Sequence, residues 1–126
     1  MKIRVYYEDT DAGGIVYHTN YIKYCERARS ELFFSHGMMP TAGEESGFVV
    51  KRLEADFKGS ATLGERLEVK THLLTLSRVS ARLEQTIYKE ETCIFVMIVE
   101  LVFVQNGKMA RIPEQFTALL SEIEGV

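Results

Sequence analysis

One long amphipathic helical pattern runs through residues 17–36. Tyr21, Tyr24 or Cys25, Ala28, Leu32 and then Phe33 or His36 recur at three- and four-residue spacing. Lys23, Glu26, Arg27, Ser30 and Glu31 fill the opposite side, and Gly37 and Pro40 supply a stop. Beyond residue 47 most of the chain alternates with period two. A lone long helix among many strands has one partner available to it, the sheet, so the two apolar surfaces must cover each other. That reads as α+β.

The strand patterns fall near residues 2–8, 48–57, 65–77, 80–90 and 94–105. In the first, Ile3, Val5 and Tyr7 share the apolar side, opposite Arg4, Tyr6 and Glu8. In the third, Leu67, Val69, Thr71, Leu73 and Thr75 alternate with Glu68, Lys70, His72 and Leu74. Gly59 and Gly64 bracket the connection before it, and Ser77 to Ser80 read as a tight turn. Asn106-Gly107 is a hairpin signal leading into a short strand, Lys108 to Ile112. Pro113 then opens a terminal helical pattern carrying Phe116, Leu119, Leu120 and Ile123. Strand 94–105 is apolar on both faces and needs cover that so short a chain can hardly supply, which points to an oligomer.

The length of 126 residues suits one domain, 1–126. A net charge of −3 argues against nucleic acid as a partner, because phosphate binding needs a basic surface. The longest apolar run, Ile94 to Val99, is too short to span a membrane. The N-terminal residues read as a strand and carry no signal-peptide pattern. Cys25 and Cys93 stand in apolar contexts as reduced core residues. These features together predict a cytoplasmic protein.

Between the first strand and the helix lies Tyr6-Tyr7-Glu8-Asp9-Thr10-Asp11-Ala12-Gly13-Gly14-Ile15-Val16-Tyr17-His18-Thr19-Asn20-Tyr21. A loop that feeds a helix N-terminus joins two chemical tools. The first amides of a helix are unpaired donors with partial positive charge and can hold a developing oxyanion. A carboxylate on the same loop can serve as base or nucleophile. The plainer alternative is a polar connection in which Asp9 or Asp11 caps a turn. Other chemistries lack their patterns. Gly43-Glu44-Glu45-Ser46-Gly47 has the wrong spacing for a nucleophile elbow. No phosphate-binding or dinucleotide fingerprint appears. The three His and two Cys show no metal-ligand spacing, so no metal is expected.

Tyr7, Asp9, Asp11, Ala12, Gly14, Val16, Tyr17, His18, Asn20 and Tyr21 form the pattern Y-x-D-T-D-A-x-G-x-V-Y-H-x-N-Y. It resembles the signature of the hot-dog-fold acyl-CoA thioesterases of the 4-hydroxybenzoyl-CoA thioesterase type, especially their Tol–Pal-associated bacterial branch. The resemblance extends through the element order of the whole chain. It implies a hot-dog fold, an antiparallel sheet of five or six strands wrapped around one long central helix, in edge-to-edge homodimers or homotetramers. It implies hydrolysis of acyl-CoA to a free acid and coenzyme A, with no cofactor beyond the coenzyme A of the substrate.

The resemblance also assigns roles. Asp11 becomes the catalytic carboxylate, acting as nucleophile or through a water. A backbone N–H among Val16, Tyr17 and His18, chiefly that of His18, polarises the thioester carbonyl. The His18 side chain is a candidate to orient water or to contact Asp11 or the substrate. Tyr7 is a candidate to border the acyl pocket or bond near Asp11, and Asp9 to fix the loop. Arg78 and Lys58 are candidates for the coenzyme A phosphates, although either could be a solvated surface charge. Two other readings stand beside this one. The first is a non-catalytic acyl-binding or interaction protein that docks acyl carrier protein or envelope factors. The second is a hot-dog dehydratase, which the early D-x-D-x-x-G placement does not favour.

Overall fold

A computed structural model describes residues 1–123. β1 spans Lys2–Arg4, and a single 3-10 turn spans Tyr7–Asp9. The long helix α1 is His18–Phe34. The strands β2 (Ser46–Phe57), β3 (Arg66–Leu76), β4 (Ser80–Lys89), β5 (Thr92–Gln105) and β6 (Lys108–Met109) come next, and α2 (Glu114–Ser121) ends the sequence of elements.

All strand pairs are antiparallel, in the order β1-β3-β4-β5-β2, with β6 added to β5 beyond the first residue of β4. The sheet curls around α1, whose buried stripe is Tyr21, Tyr24, Cys25, Ala28 and Phe33. The first four pack with Leu67 and Val69 of β3, Leu83 and Ile87 of β4, and Phe95, Met97 and Val99 of β5. Each fully buried Leu, Ile, Val, Phe or Met among them contributes ~1.5–3 kcal/mol of transfer free energy. Phe33 belongs to a second cluster with Phe103, Ile112, Phe116 and Leu119, through which α2 closes the far end. This is the hot-dog arrangement. No helix among the described residues is long and apolar enough to cross a membrane.

The turn chemistry fixes the register. Asn106 and Gly107 both have positive φ, 52° and 77°, as a two-residue hairpin turn of matching twist requires. At Ser77–Ser80 the Ser77 amide donates to the Ser80 carbonyl and the Ser80 amide returns to Ser77 Oγ. A bulge between Leu73 and Thr75 shifts the phase of β3. Thr75 therefore points outward opposite Arg82, away from the side shared by Val69, Thr71 and Leu73.

The first strand is shorter than its alternation suggests. Val5 is buried, but the Tyr6 amide donates to Asp9 Oδ2 at 2.9 Å, and this capture turns the chain into the 3-10 turn. Tyr7 consequently leaves the apolar side and is 82% exposed. The last strand is also shorter than expected, because the chain leaves β5 after Ala110 to seat Ile112 beneath α2.

On the concave side of the sheet α1 lies over β3 and β4, and α2 covers the end at Phe48 and Phe103. The inward residues of β2 are Phe48, Val50, Leu53, Ala55 and Phe57, opposite the buried Phe103, Leu101, Val99, Met97 and Phe95. Val50 and Phe57 are each 49% exposed. An apolar groove thus runs along β2, which is also an edge strand, paired on one side with β5.

Candidate active site

The loop before α1 is a small hairpin. The Tyr17 amide donates to the Asp9 carbonyl at 2.8 Å, Thr10 bridges Val16, and the Asp11 amide donates to the Ile15 carbonyl at 2.9 Å. Asp11 therefore stands at the tip, exposed. Its Oδ1 accepts the Gly13 amide at 2.8 Å, and its carbonyl accepts the Gly14 amide. A Cβ on Gly13 would lie 3.2 Å from Asp11 Oδ1, so even alanine there would press on the carboxylate. Gly14 takes φ 82°, which completes the turn.

Two anchors hold this hairpin. The first is Asp9, which is 3% exposed. Its Oδ2 takes the Tyr6 amide and its Oδ1 takes Asn20 Nδ2 at 3.0 Å, joining the loop to the first turn of α1. Asp9 thus fixes the loop that presents Asp11. The neighbouring Tyr24 hydroxyl is buried and makes no hydrogen bond among the described residues. Burial foremost, then the closeness of the Asp9 carboxylate, raises its pKa. The second anchor is the segment before β3. The Ala61 carbonyl accepts the Val16 amide at 2.9 Å, the Ala61 amide donates to the Tyr21 hydroxyl at 3.1 Å, and Ile15 bridges Thr62.

Glu65 secures that second anchor by accepting the Thr62 amide at 2.7 Å and Thr62 Oγ1 at 2.9 Å, with Lys89 Nζ 3.5 Å away. The Thr62 amide foremost holds the Glu65 carboxyl below its usual range, against the opposing effect of burial. A depressed carboxyl pKa gives stability that is present above the unfolded value, about 4.3, and lost as pH falls through the folded value. Glu65→Gln is expected to flatten the acid limb of stability against pH. Urea midpoints at neutral pH and below the carboxylate range check this. An unchanged acid limb would remove Glu65 from the account.

The bonds at the start of α1 sort its amides. Those of Val16 and Tyr17 are taken by Ala61 and Asp9, and that of Asn20 reaches the Tyr17 carbonyl at 2.8 Å. Among the described residues, the amides of His18 and Thr19 have no acceptor. They are the first two of the helix, where the dipole is most positive. Of the three amides named as candidate donors, Val16 to His18, that of His18 is left without an acceptor among the described residues, and that of Thr19 joins it. The Val16 amide is engaged and its side chain lies in the core, 2% exposed.

The other candidates divide. Tyr17 is 46% exposed, with its ring centroid 4.7 Å from that of His18. The His18 ring makes no hydrogen bond to Asp11 and sits edge-on to Phe57 at 6.1 Å. Phe57 went unnoticed in the sequence. It packs edge-on against Tyr21 and tilted against Phe95, and forms the wall of the groove at this end. Nothing in its local pattern distinguishes it from any other strand residue. Lys58, next to it, is at the same end, held by its amide to the Ile94 carbonyl. Arg78 is not. It occupies the β3–β4 turn, whereas the Asp11 loop is fastened beside the other end of β3. The length of β3 separates them, ~33 Å at about 3.3 Å per residue. Tyr7 contributes its carbonyl, which accepts Thr10 Oγ1 at 2.9 Å, while its ring faces outward.

The hot-dog scaffold thus carries an exposed carboxylate at a hairpin tip and, where the same loop enters α1, two amides without an acceptor among the described residues. The chain belongs to the thioesterase superfamily, whose family model matches residues 13–94. It is 41% identical to the acyl-CoA thioesterase YbgC of Helicobacter pylori, over 98% of this chain and 100% of that one. It is 38% identical to the acyl-CoA thioester hydrolase YbgC of Escherichia coli, over 71% of this chain and 68% of the relative. The crystal structure of a probable thioesterase from Bartonella henselae superposes with a TM-score of 0.83 at 32% identity, covering 90% and 97% of the two chains.

Proposed function

We propose that this protein hydrolyses acyl-CoA thioesters to a free carboxylic acid and coenzyme A. The observation that carries the reading is the pair of unengaged amides, His18 and Thr19, beside a loop that presents Asp11. In the base route, Asp11 takes a proton from water as its oxygen attacks the thioester carbon. In the nucleophile route, a carboxylate oxygen attacks directly, and water then cleaves the resulting anhydride. Either way the carbonyl oxygen gains charge and is met by the helix amides. The C–S bond then breaks, and its electron pair leaves on sulfur as a thiolate that needs little protonation.

The working unit is a homo-oligomer, dimer or tetramer. In one chain the Asp11 loop is exposed. Two hollows are lined by residues of α1, the loop before β2, β2, β5 and the β5–β6 turn, and neither includes the Asp11 loop. A second copy against the free edge of β2, where Val49, Val50 and Phe57 are exposed, would wall the site. Lys58 would meet coenzyme A phosphates on its own chain's side, and Arg78 would do so from a partner. The protein acts in the cytoplasm without a further cofactor. Acyl carrier protein thioesters are a second substrate form, since Asp11 and the amides read the thioester and not its carrier.

The test is thiol release from short, long and aromatic acyl-CoA esters and from acyl carrier protein thioesters. Turnover of any class establishes the activity and names the acyl group. Silence across the panel would leave acyl binding, or docking of acyl carrier protein or envelope factors, as the function.

A further inference from the structure

Arg29 projects from the buried side of α1 and, among the described residues, its side chain makes one hydrogen bond, from Nη1 to Gln85 Oε1 at 2.9 Å. Gln85 is itself wholly buried and fixed, with Nε2 donating to the Cys25 carbonyl at 2.8 Å and to Thr71 Oγ1 at 3.1 Å. Among the described residues no carboxylate comes within ion-pair distance of Arg29. Glu26, one turn back on the helix, instead accepts a hydrogen bond from Ser30. Burial lowers the Arg29 pKa, opposed by the nearby Cys25 and Glu26.

A half-buried guanidinium with five donors and one neutral acceptor is an incomplete arrangement. Beside it is a cavity of about 280 Å³ between α1 and the start of β2. Its walls are Phe33, Phe48, Val50 and Leu101, with Glu26 and Ser30 at the helix side. That volume is near the lower end of small-ligand sites, ~300 Å³. The apolar walls call for a hydrocarbon chain and the unpaired cation for an acid group. The planar fork suits a carboxylate, and the Gln85 bond holds it in place beforehand.

We propose that this cavity binds a carboxylate carried on an apolar chain, with Arg29 as the anchor. Two sources share that chemistry. One is a free carboxylic acid. The other is an acid group at the far end of a long acyl chain, laid along the β2 groove from the His18 end. Arg29 lies ~16 Å along α1 from His18 at about 1.5 Å per residue, so the second source demands a long chain. Only the choice between sources rests on the thioesterase reading.

The experiment titrates the full chain with hexanoate and with hexanol by calorimetry, using Asp11→Asn protein so that turnover plays no part. Hexanoate is expected to bind at least tenfold tighter than hexanol, and Arg29→Met to remove that difference. Equal binding of the two, absence of binding, or a preference that survives Arg29→Met would overturn the proposal. Should Arg29→Met fail to fold, Ser30→Phe fills the cavity and leaves the Arg29–Gln85 bond intact. It is expected to abolish hexanoate binding, and undiminished binding would overturn the proposal equally. With hexanoate binding in hand, the source is read from kcat/KM for dodecanedioyl-CoA against dodecanoyl-CoA. At least tenfold preference for the diacid ester, lost in Arg29→Met, assigns the site to the acyl tail. No preference assigns it to free acid.

Discussion

Asp11→Asn is expected to reduce thioester hydrolysis by ~10²–10⁴ while leaving the fold and substrate binding in place. The substitution is close to isosteric, and its Oδ1 still accepts the Gly13 amide that now meets the carboxylate at 2.8 Å. The Asp11 amide and carbonyl bonds to Ile15 and Gly14 involve backbone only and are untouched. What disappears is the negative oxygen that accepts a proton or attacks carbon. The loss belongs in kcat with KM little changed. Circular dichroism and a urea midpoint matching the wild type complete the measurement. A variant that retains full turnover would move the chemistry elsewhere. Asp9→Asn is the contrasting change, because both Asp9 oxygens already accept hydrogen bonds. An amide there sets N–H against N–H, so the variant should lose stability as well as rate.

This contrast between two carboxylates in one tripeptide shows what a sequence can and cannot reveal. Periodicity located α1 within a residue or two, and the strands from β2 to β5 similarly, because one buried stripe or one buried face governs each. Punctuation by Gly, Asn and Ser marked the turns for reasons confined to a few residues. Where tertiary bonds override local alternation, the pattern misleads. Tyr7 reads as an inward strand residue until Asp9 captures the Tyr6 amide, and Thr75 reads as inward until a bulge intervenes. The tyrosine had a legible signal, an acid three residues after the amide it takes.

The candidate site divides along the same line. Asp11 and the helix start are contiguous in the chain, so their partnership is written locally. The engagement of the Val16 amide by Ala61, the edge of Phe57 against His18, and the Arg29–Gln85 bond join residues far apart in sequence. They depend on register and curl that no window of residues contains. Arg78 is far from its own chain's Asp11 loop for the converse reason. Its turn is recognisable, but which end of the sheet that turn occupies relative to Asp11 is a property of the assembled strands.

The oxyanion donor can be tested by the side chain that replaces His18. His18 is the first residue of α1, preceded by Tyr17 at φ −62° and ψ 133°. Proline is favoured at a first helical position, and the residue before it favours the extended conformation Tyr17 already has. His18→Pro therefore removes one N–H with little demand on the backbone, and that N–H has no acceptor to lose among the described residues. His18→Ala keeps the amide and removes only the ring between Tyr17 and Phe57. His18→Pro is expected to lower kcat by ~10²–10³, the usual consequence of losing one oxyanion donor. His18→Ala should retain most of the activity. The effect should fall on kcat more than KM, because the oxygen carries its charge only in the transition state. Equal and large losses in both variants would transfer the role to the imidazole. Full activity in the proline variant would leave the Thr19 amide, the next unengaged donor on the helix, as the group that meets the oxyanion.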